Sequence, residues 1–309
     1  MKLWVGTTDN GWYDYLAHRA PDEVNFWQPN RVPPFKHLPP GTPFLFKLKR
    51  PDNHIAGGGF FLRYELLPLS LAWETFEAKY GVPTRAGFDQ LIRPLLKDPT
   101  EPDPWIGATM LSAPFFFPRD EWIPAPASWA ASTQRGKIFD TDTEEGRALW
   151  EEVGVRLAKG PVIGEAGYIE RGPRYGPPVL VAPRYGQSSF RAALTAAYRY
   201  QCAITGETTL PTLEAAHIRP YRKDGQHELR NGLLLRADFH KLFDRGLVTV
   251  TPEHRVEISG RIQDQWFNGK AYYRLQGEPL KRLPDALEDQ PDPEQLRWHN
   301  ENVFEKLAS

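Results

Sequence analysis

Residues 213–246 read LEAAHIRPYRKDGQHELRNGLLLRADFHKLFDRG, and this stretch decides the reading of the chain. LEAAH is short and largely apolar, which suits a strand ending at His217. The polar, Gly- and Pro-containing run after it reads as a loop. Asn231 then stands in a turn before the apolar LLL, and ADFHKLFD has the periodicity of a helix that carries His240. The expected unit is strand–loop–strand–helix, with an imidazole from the strand facing an imidazole from the helix.

Hydrolysis of a phosphodiester calls for such an arrangement. A neutral imidazole can take a proton from water, because its pKa lies near the working pH. One divalent cation on the other side can stabilise the pentacovalent phosphate and the leaving oxygen. An asparagine between them can hold the loop so that the catalytic imidazole keeps its tautomer and direction.

In AAHIRPY, NGLLLRADFH and LFDRG the chain resembles an HNH endonuclease of the ββα-metal class. The likeness extends over roughly 184–304, including PRYGQ (183–187), CAITGE (202–207) and HNENVF (299–304). The resemblance implies His217 as general base, Asn231 as structural asparagine and His240 as a metal ligand, with one divalent ion (Mg, Mn, Ni or Zn) per site and no organic cofactor. Many HNH enzymes place a second ligand immediately before the base, where this chain has Ala216. Glu214 leaves the strand on the same face as Ala216 and is the favoured second ligand; Asp238 is its rival. Many HNH domains also hold a structural zinc with cysteine pairs. Cys202 is the chain's one cysteine, so that site is excluded, as is any internal disulfide. Arg219, Arg222, Lys223, Arg230 and Arg236 surround the motif and are expected to meet DNA phosphates. His227, in a polar loop, reads as solvated or phosphate-facing rather than as a ligand, and His254 as a turn residue.

The surrounding chain has 309 residues, and at ~150 residues per domain this suggests two domains. Apolar residues make up 40% of it, enough for real cores, so wholesale disorder is excluded. No apolar run approaches the ~20 residues of a membrane span, and the N-terminus lacks the basic-then-apolar pattern of a secretory signal. A cytoplasmic location and no membrane partner are the expectation. Net charge is −1, which gives no global pull toward nucleic acid. The excess of Lys and Arg over Asp and Glu is confined to 184–261. Thirty prolines and 25 glycines imply short helices and many loops. Residues 161–187 are Gly/Pro-dense without helical periodicity and read as a linker, leaving a domain at 1–160 and the nuclease domain at 188–309.

The N-terminal part holds most of the tryptophans. Its strings WVGTTDNGWYDYL (4–16), DEVNFWQP (22–29), LPPGTPFLFKL (38–48), HIAGGGFF (54–61) and LAWETF (71–76) resemble the EVE branch of the PUA-like superfamily. That likeness implies a small, curved β-barrel whose pocket holds a single modified or flipped base. A flipped base needs an aromatic face to stack on and an amide for its Watson–Crick edge. Trp27, with Asn25 and Gln28 after a turn, offers both; Trp12 and Tyr13 are candidates for a second wall. Trp4 and Trp73 fit the core. The triple glycine 57–59, inside a strand, marks a bulge or a close approach of backbone or ligand.

The fold class expected is therefore α+β: a PUA-like, EVE-type small β-barrel with flanking helices, followed by a ββα-metal HNH domain. The function expected is a metal-dependent DNA endonuclease, resembling a modification-dependent restriction enzyme that reads a modified base such as a modified cytosine in double-stranded DNA. Each such site cuts one strand, so double-strand cleavage needs a homodimer or two binding events. Two alternatives stay open: a nicking or structure-dependent HNH nuclease without modification dependence, and a catalytically weak nucleic-acid-binding protein.

Overall fold

The protein is described from a computed structural model, which covers residues 1–29, 35, 38–160, 162–163, 185–220, 225–266 and 269–305. The chain divides into two compact units, Met1–Ser189 and Phe190–Ser309. Most of the expected linker, residues 161–187, lies outside the described residues. No described helix is long and apolar enough to cross a membrane.

Unit 1 opens with β1 (Lys2–Thr8) and α1 (Asn10–Arg19). The Asp9 side chain caps α1 by accepting from the Gly11 and Trp12 amides, which have no partner inside the helix. Then follow β2 (Glu23–Gln28), β3 (Pro43–Leu48), β4 (His54–Pro68), α2 (Leu69–Phe76), α3 (Arg85–Ile92), β5 (Trp105–Phe116), β6 (Ile123–Pro124), β7 (Gly136–Asp140), α4 (Glu144–Ala158) and β8 (Val162–Ile163). Thr84 and Thr143 cap α3 and α4 in the same way as Asp9. The sheet runs β2-β5-β4-β3-β1-β7, with β6 added to β4 and β8 to β5. Only β1 and β3 pair in parallel among these ladders. Among the described residues no ladder joins β2 to β7, so the sheet is present but a closed barrel is not seen.

Two apolar clusters fill this unit. One gathers Trp4, Trp12, Tyr13, Phe44 and Phe116, the other Leu3, Val5, Phe115 and Trp150. The alternation along β1 sends Trp4 to the first and Leu3 and Val5 to the second, as expected of a strand covered on both faces. Glycines 57–59 sit where neighbouring strands crowd β4. A Cβ on Gly57 would lie 2.2 Å from the Phe115 carbonyl oxygen, and one on Gly58 2.7 Å from that of Phe44. Adjacent register shifts in the β3 and β4 pairings mark bulges. Backbone, rather than a ligand, explains this run.

Unit 2 is built around a hairpin. The elements are α5 (Gln187–Ala197), whose first residues precede the division, β9 (Leu213–His217), β10 (Gly232–Arg236), α6 (Ala237–Asp244), β11 (Val248–Val250), β12 (Val256–Ile258), α7 (Arg261–Trp266), α8 (Lys270–Tyr273) and α9 (Pro293–Asn302). β9 and β10 pair antiparallel, with His217 opposite Gly232 and Glu214 opposite Leu235. A Cβ on Gly232 would fall 2.8 Å from Leu194 Cδ1 and 2.9 Å from Phe190 Cζ, so this glycine lets α5 lie close on the hairpin. The Tyr198 hydroxyl donates to the Gly232 carbonyl at 3.2 Å.

Cys202 stands in the turn before β9 and is fully buried. Its sulfur accepts from the amides of Thr205 (3.4 Å) and Arg236 (3.3 Å), pinning the CAITGE turn to the junction of β10 and α6. Hydrogen bonds and apolar packing hold that turn. From α9, His299 stacks on Phe243 of α6 with ring centroids 3.7 Å apart. Its nitrogens lie 2.8 Å from Thr249 Oγ1 and 3.2 Å from the Phe243 carbonyl oxygen. His254 occupies a turn with φ +58° and reaches the Pro291 carbonyl, as a turn residue should.

Candidate active site

β9 ends at His217, β10 runs back beside it, and α6 follows β10 without a break. That succession is the strand–loop–strand–helix unit expected from the sequence, and it sets His217 and His240 in one neighbourhood. The His217 ring stacks on Phe190, with centroids 4.4 Å apart and planes 17° from parallel. Burial, the nearby His227 and then His240 push the His217 imidazole down to about 4. It is therefore neutral at neutral pH and has a lone pair to offer a proton.

Asn231 is buried and fully bonded. Its amide nitrogen donates to the carbonyls of Arg219 (2.9 Å) and Gln226 (3.0 Å), and its amide oxygen accepts from the Arg219 amide at 2.8 Å. Its own carbonyl accepts from the Ile218 amide at 2.9 Å. One side chain thus ties both ends of the loop that leaves His217. The loop is tight: a Cβ on Gly225 would lie 1.9 Å from the Arg219 carbonyl oxygen.

On α6, His240 Nδ1 lies 2.6 Å from Glu214 Oε2 of β9. His240 Nε2 is 3.4 Å from Asp244 Oδ2, one helical turn on. Asp238, the other candidate ligand, is engaged elsewhere: Arg236 Nε and Nη2 donate to its two oxygens at 2.7 and 2.8 Å. That pairing holds the Asp238 carboxyl below its usual range. Of the two candidate ligands, Glu214 and not Asp238 is set against His240, which Asp244 also approaches. Ala216 is buried against the hairpin core. Among the described residues no group of three or more His, Cys, Asp or Glu side chains converges as a metal cluster.

The basic residues are divided. Arg236 is committed to Asp238, and Arg230 pairs with Asp292 at 2.9 Å. The Arg219 guanidinium lies over the Trp298 ring, 5.1 Å from its centroid. Arg222 and Lys223 lie outside the described residues. Arg236 and Arg230 would have to exchange a carboxylate for a phosphate, which weakens the expectation for those two.

The expected base pocket of unit 1 is distributed differently from the reading of the sequence. Trp12 and Tyr13 belong to the buried core of α1. The Tyr13 hydroxyl donates among two backbone carbonyls, Ala56 (2.9 Å) and Phe117 (3.0 Å), so it serves the fold rather than an exposed wall. Asn25, Trp27 and Gln28 all lie in β2, which begins just after the turn out of α1 through the left-handed Ala20. Strand alternation puts Asn25 and Trp27 on one face and Gln28 on the other. Trp27 is half-buried and meets Phe88 edge-on at 6.1 Å. Asn25 is fully buried, and among the described residues neither atom of its amide has a hydrogen-bond partner.

Sequence reasoning did not bring His227 to His217. His227 Nδ1 lies 2.9 Å from His217 Nε2. Phe190 and Asp244 were not singled out. The tight Gly225, two positions before His227, is the one local sign that the loop folds back.

Residues 202–251 match the HNH endonuclease family, so unit 2 carries an HNH endonuclease domain. No curated protein matches the chain. Among the solved structures similar to it are two at low identity. One is a point variant of the ZmASCH protein of Zymomonas mobilis, at 12% identity and a TM-score of 0.33, covering 52% of this chain and 99% of that one. The other is described as the modification-dependent TagI restriction endonuclease, at 14% identity and a TM-score of 0.28, covering 96% of this chain and 81% of that one. Superpositions this loose carry no argument about fold or function.

Proposed function

We propose that the HNH domain makes this chain a metal-dependent DNA endonuclease, and that its N-terminal unit directs it to DNA carrying a modified base. The observation that carries the nuclease reading is the pairing of a neutral, buried-edge imidazole, His217, with a Glu214–His240 donor pair on the same β9–β10–α6 unit. His217 takes a proton from water as the water oxygen bonds to phosphorus; the P–O bond to the leaving oxygen breaks, and that oxygen is protonated from solvent. Asn231 keeps the loop behind His217 from shifting, so the base meets the water in one orientation.

The donors fit a divalent cation in type. Glu214 offers a carboxylate oxygen and His240 an imidazole nitrogen, a set suited to Mg, Mn, Ni or Zn once water and phosphate oxygens complete the shell. Such an ion supplies charge that stabilises the phosphate oxygens as they gain negative charge. Glu214 and His240 are the residues proposed to hold it. The incomplete protein donor set and the buried Ala216 are what favour the second reading, a catalytically weak DNA-binding protein. Cleavage of plasmid DNA with and without added metal separates the two readings: metal-dependent nicks or breaks support the nuclease, and binding without cleavage supports the alternative.

Base reading in unit 1 is supported by Asn25. A buried amide with no partner costs roughly 1–3 kcal/mol, which a bound base or water would recover. Trp27 leaves β2 on the same face and offers a partly exposed ring for stacking. We assign residues 1–160 to reading, on a PUA-like architecture, and 188–309 to cutting. Comparing methylated, hydroxymethylated and unmodified DNA of one sequence tests this division; equal cleavage of all three would support an unselective HNH nuclease instead.

A further inference from the structure

The loop between β9 and β10 brings a third imidazole to the site. Asn231 donates to the carbonyl of Gln226, the residue just before His227, and accepts from Ile218, the residue just after His217. Gly225 lets the loop backbone pass where a Cβ would collide with Arg219. The two histidines are thereby held edge to face, with ring centroids 4.9 Å apart and planes at 65°. Phe190 packs on both, at 4.4 Å from His217 and 5.7 Å from His227. His217 Nε2 and His227 Nδ1 face each other at 2.9 Å, a hydrogen-bond distance.

With His217 neutral, that contact holds one proton, and it can sit on either side. If His227 Nδ1–H donates, the lone pair of His217 Nε2 is spent, and its Nδ1 carries the remaining proton. His217 then has nothing with which to accept a proton from water. If His217 Nε2–H donates to His227 Nδ1, the lone pair of His217 Nδ1 is free and pointed by the contact. Only the second arrangement is a base.

We infer that His227 is a positioning residue for His217: its Nδ1 accepts from His217 Nε2–H and thereby fixes the tautomer in which His217 Nδ1 takes the proton from water. This rests on the reading of His217 as the general base. It gives a loop histidine the work of orienting the base, and it assigns Asn231 to holding both imidazoles rather than one.

The test uses full-length protein and single-turnover cleavage of plasmid DNA in excess metal. His227→Asn places an amide oxygen near the position of Nδ1 and keeps the acceptor. His227→Phe keeps a ring for packing and loses the acceptor. The expected result is that H227F cuts roughly 10–100-fold more slowly, the usual cost of losing a partner that orients a ligand or base, while H227N stays within a few-fold of wild type and DNA affinity is unchanged in both. H227F cutting at the wild-type rate, or H227N losing as much as H227F, overturns the inference. His217→Ala run alongside separates this from failure of the underlying reading: if H217A cuts normally, His217 is not the base at all. Imidazole nitrogen–proton correlation spectra of the wild-type protein need no variant to be active. They should show His217 protonated on Nε2; protonation on Nδ1 overturns the proposal.

Discussion

The proposed cutting site and the proposed reading strand treat their buried polar side chains differently. In the HNH unit the groups that matter are bonded within the fold: Asn231 uses both amide atoms, and His217, His240 and His299 each have a partner. On β2 of unit 1, Asn25 is buried with neither atom of its amide hydrogen-bonded among the described residues. A cutting site gains from being organised before substrate arrives, because orientation settled in advance lowers the barrier. A reading site gains from polar groups that only the right ligand satisfies, because a wrong ligand leaves them unpaired. The contrast is what a division between cutting and reading would produce, and it can be broken from either side.

The largest effect should come from His217→Ala, which removes the proposed base. Cleavage should fall ~10²–10⁴-fold while a gel-shift assay finds DNA binding nearly intact; parallel losses of both would deny His217 its role. His240→Ala should raise the metal concentration needed for half-maximal cleavage by at least the ~10–100-fold that loss of an outer partner costs. Excess metal should restore part of the rate, and no rescue at any concentration would count against His240 as a ligand.

Asn231→Ala leaves two carbonyls and an amide of the loop unpaired, and a urea titration should find unit 2 weaker by about 1–3 kcal/mol. Trp27→Ala should cut the preference for modified over unmodified DNA by about ten- to a hundredfold, the ~1–3 kcal/mol of one stacked base, with unselective nicking retained. A folded variant that keeps its full preference would place Trp27 in the core.

The smallest effect concerns acid. Burial lowers the His299 imidazole to about 4, against the bond to Phe243 that opposes the shift. Folded protein keeps it neutral, whereas the unfolded chain takes up a proton below about 6.5. Stability is therefore full above about pH 6.5 and declines as pH falls toward about 4, by roughly 1–3 kcal/mol. His299→Phe should flatten that part of the curve, and an unchanged slope would show that other groups dominate it.

Much of the cutting unit was legible because its signals are local and dense. The loop and the apolar LLL place β10, ADFHKLFD places α6, and the two imidazoles on adjoining elements follow. Glu214 was reached through the HNH resemblance, which implies a ligand just before the base, joined to strand geometry, since Glu214 shares a face with Ala216. His227 was not legible, because its partner lies across a loop whose path depends on Asn231 and on the space at Gly225, and polar loop histidines read as solvated.

In unit 1 the elements were clearer than the site. The crowding at Gly57–Gly59 follows from local rules, since a glycine run inside a strand marks a bulge or a close approach. Which way β2 turns its side chains did not, because EVNFWQ is covered on both faces and shows no clean alternation. For that reason Trp27 and Gln28 read as one pocket and stand on opposite sides. Trp12 and Tyr13 read as a wall because aromatics suit stacking and burial equally, and only packing decides between them.

One measurement bears most directly on the whole account: cleavage by the purified full-length protein of phage DNAs that differ only in base modification, with divalent metal and with chelator, set beside His217→Ala. The account predicts metal-dependent cutting of a modified DNA, sparing of the unmodified one, and loss of cutting but not of binding in H217A. No metal-dependent cleavage of any DNA, or wild-type cutting by H217A, would contradict it.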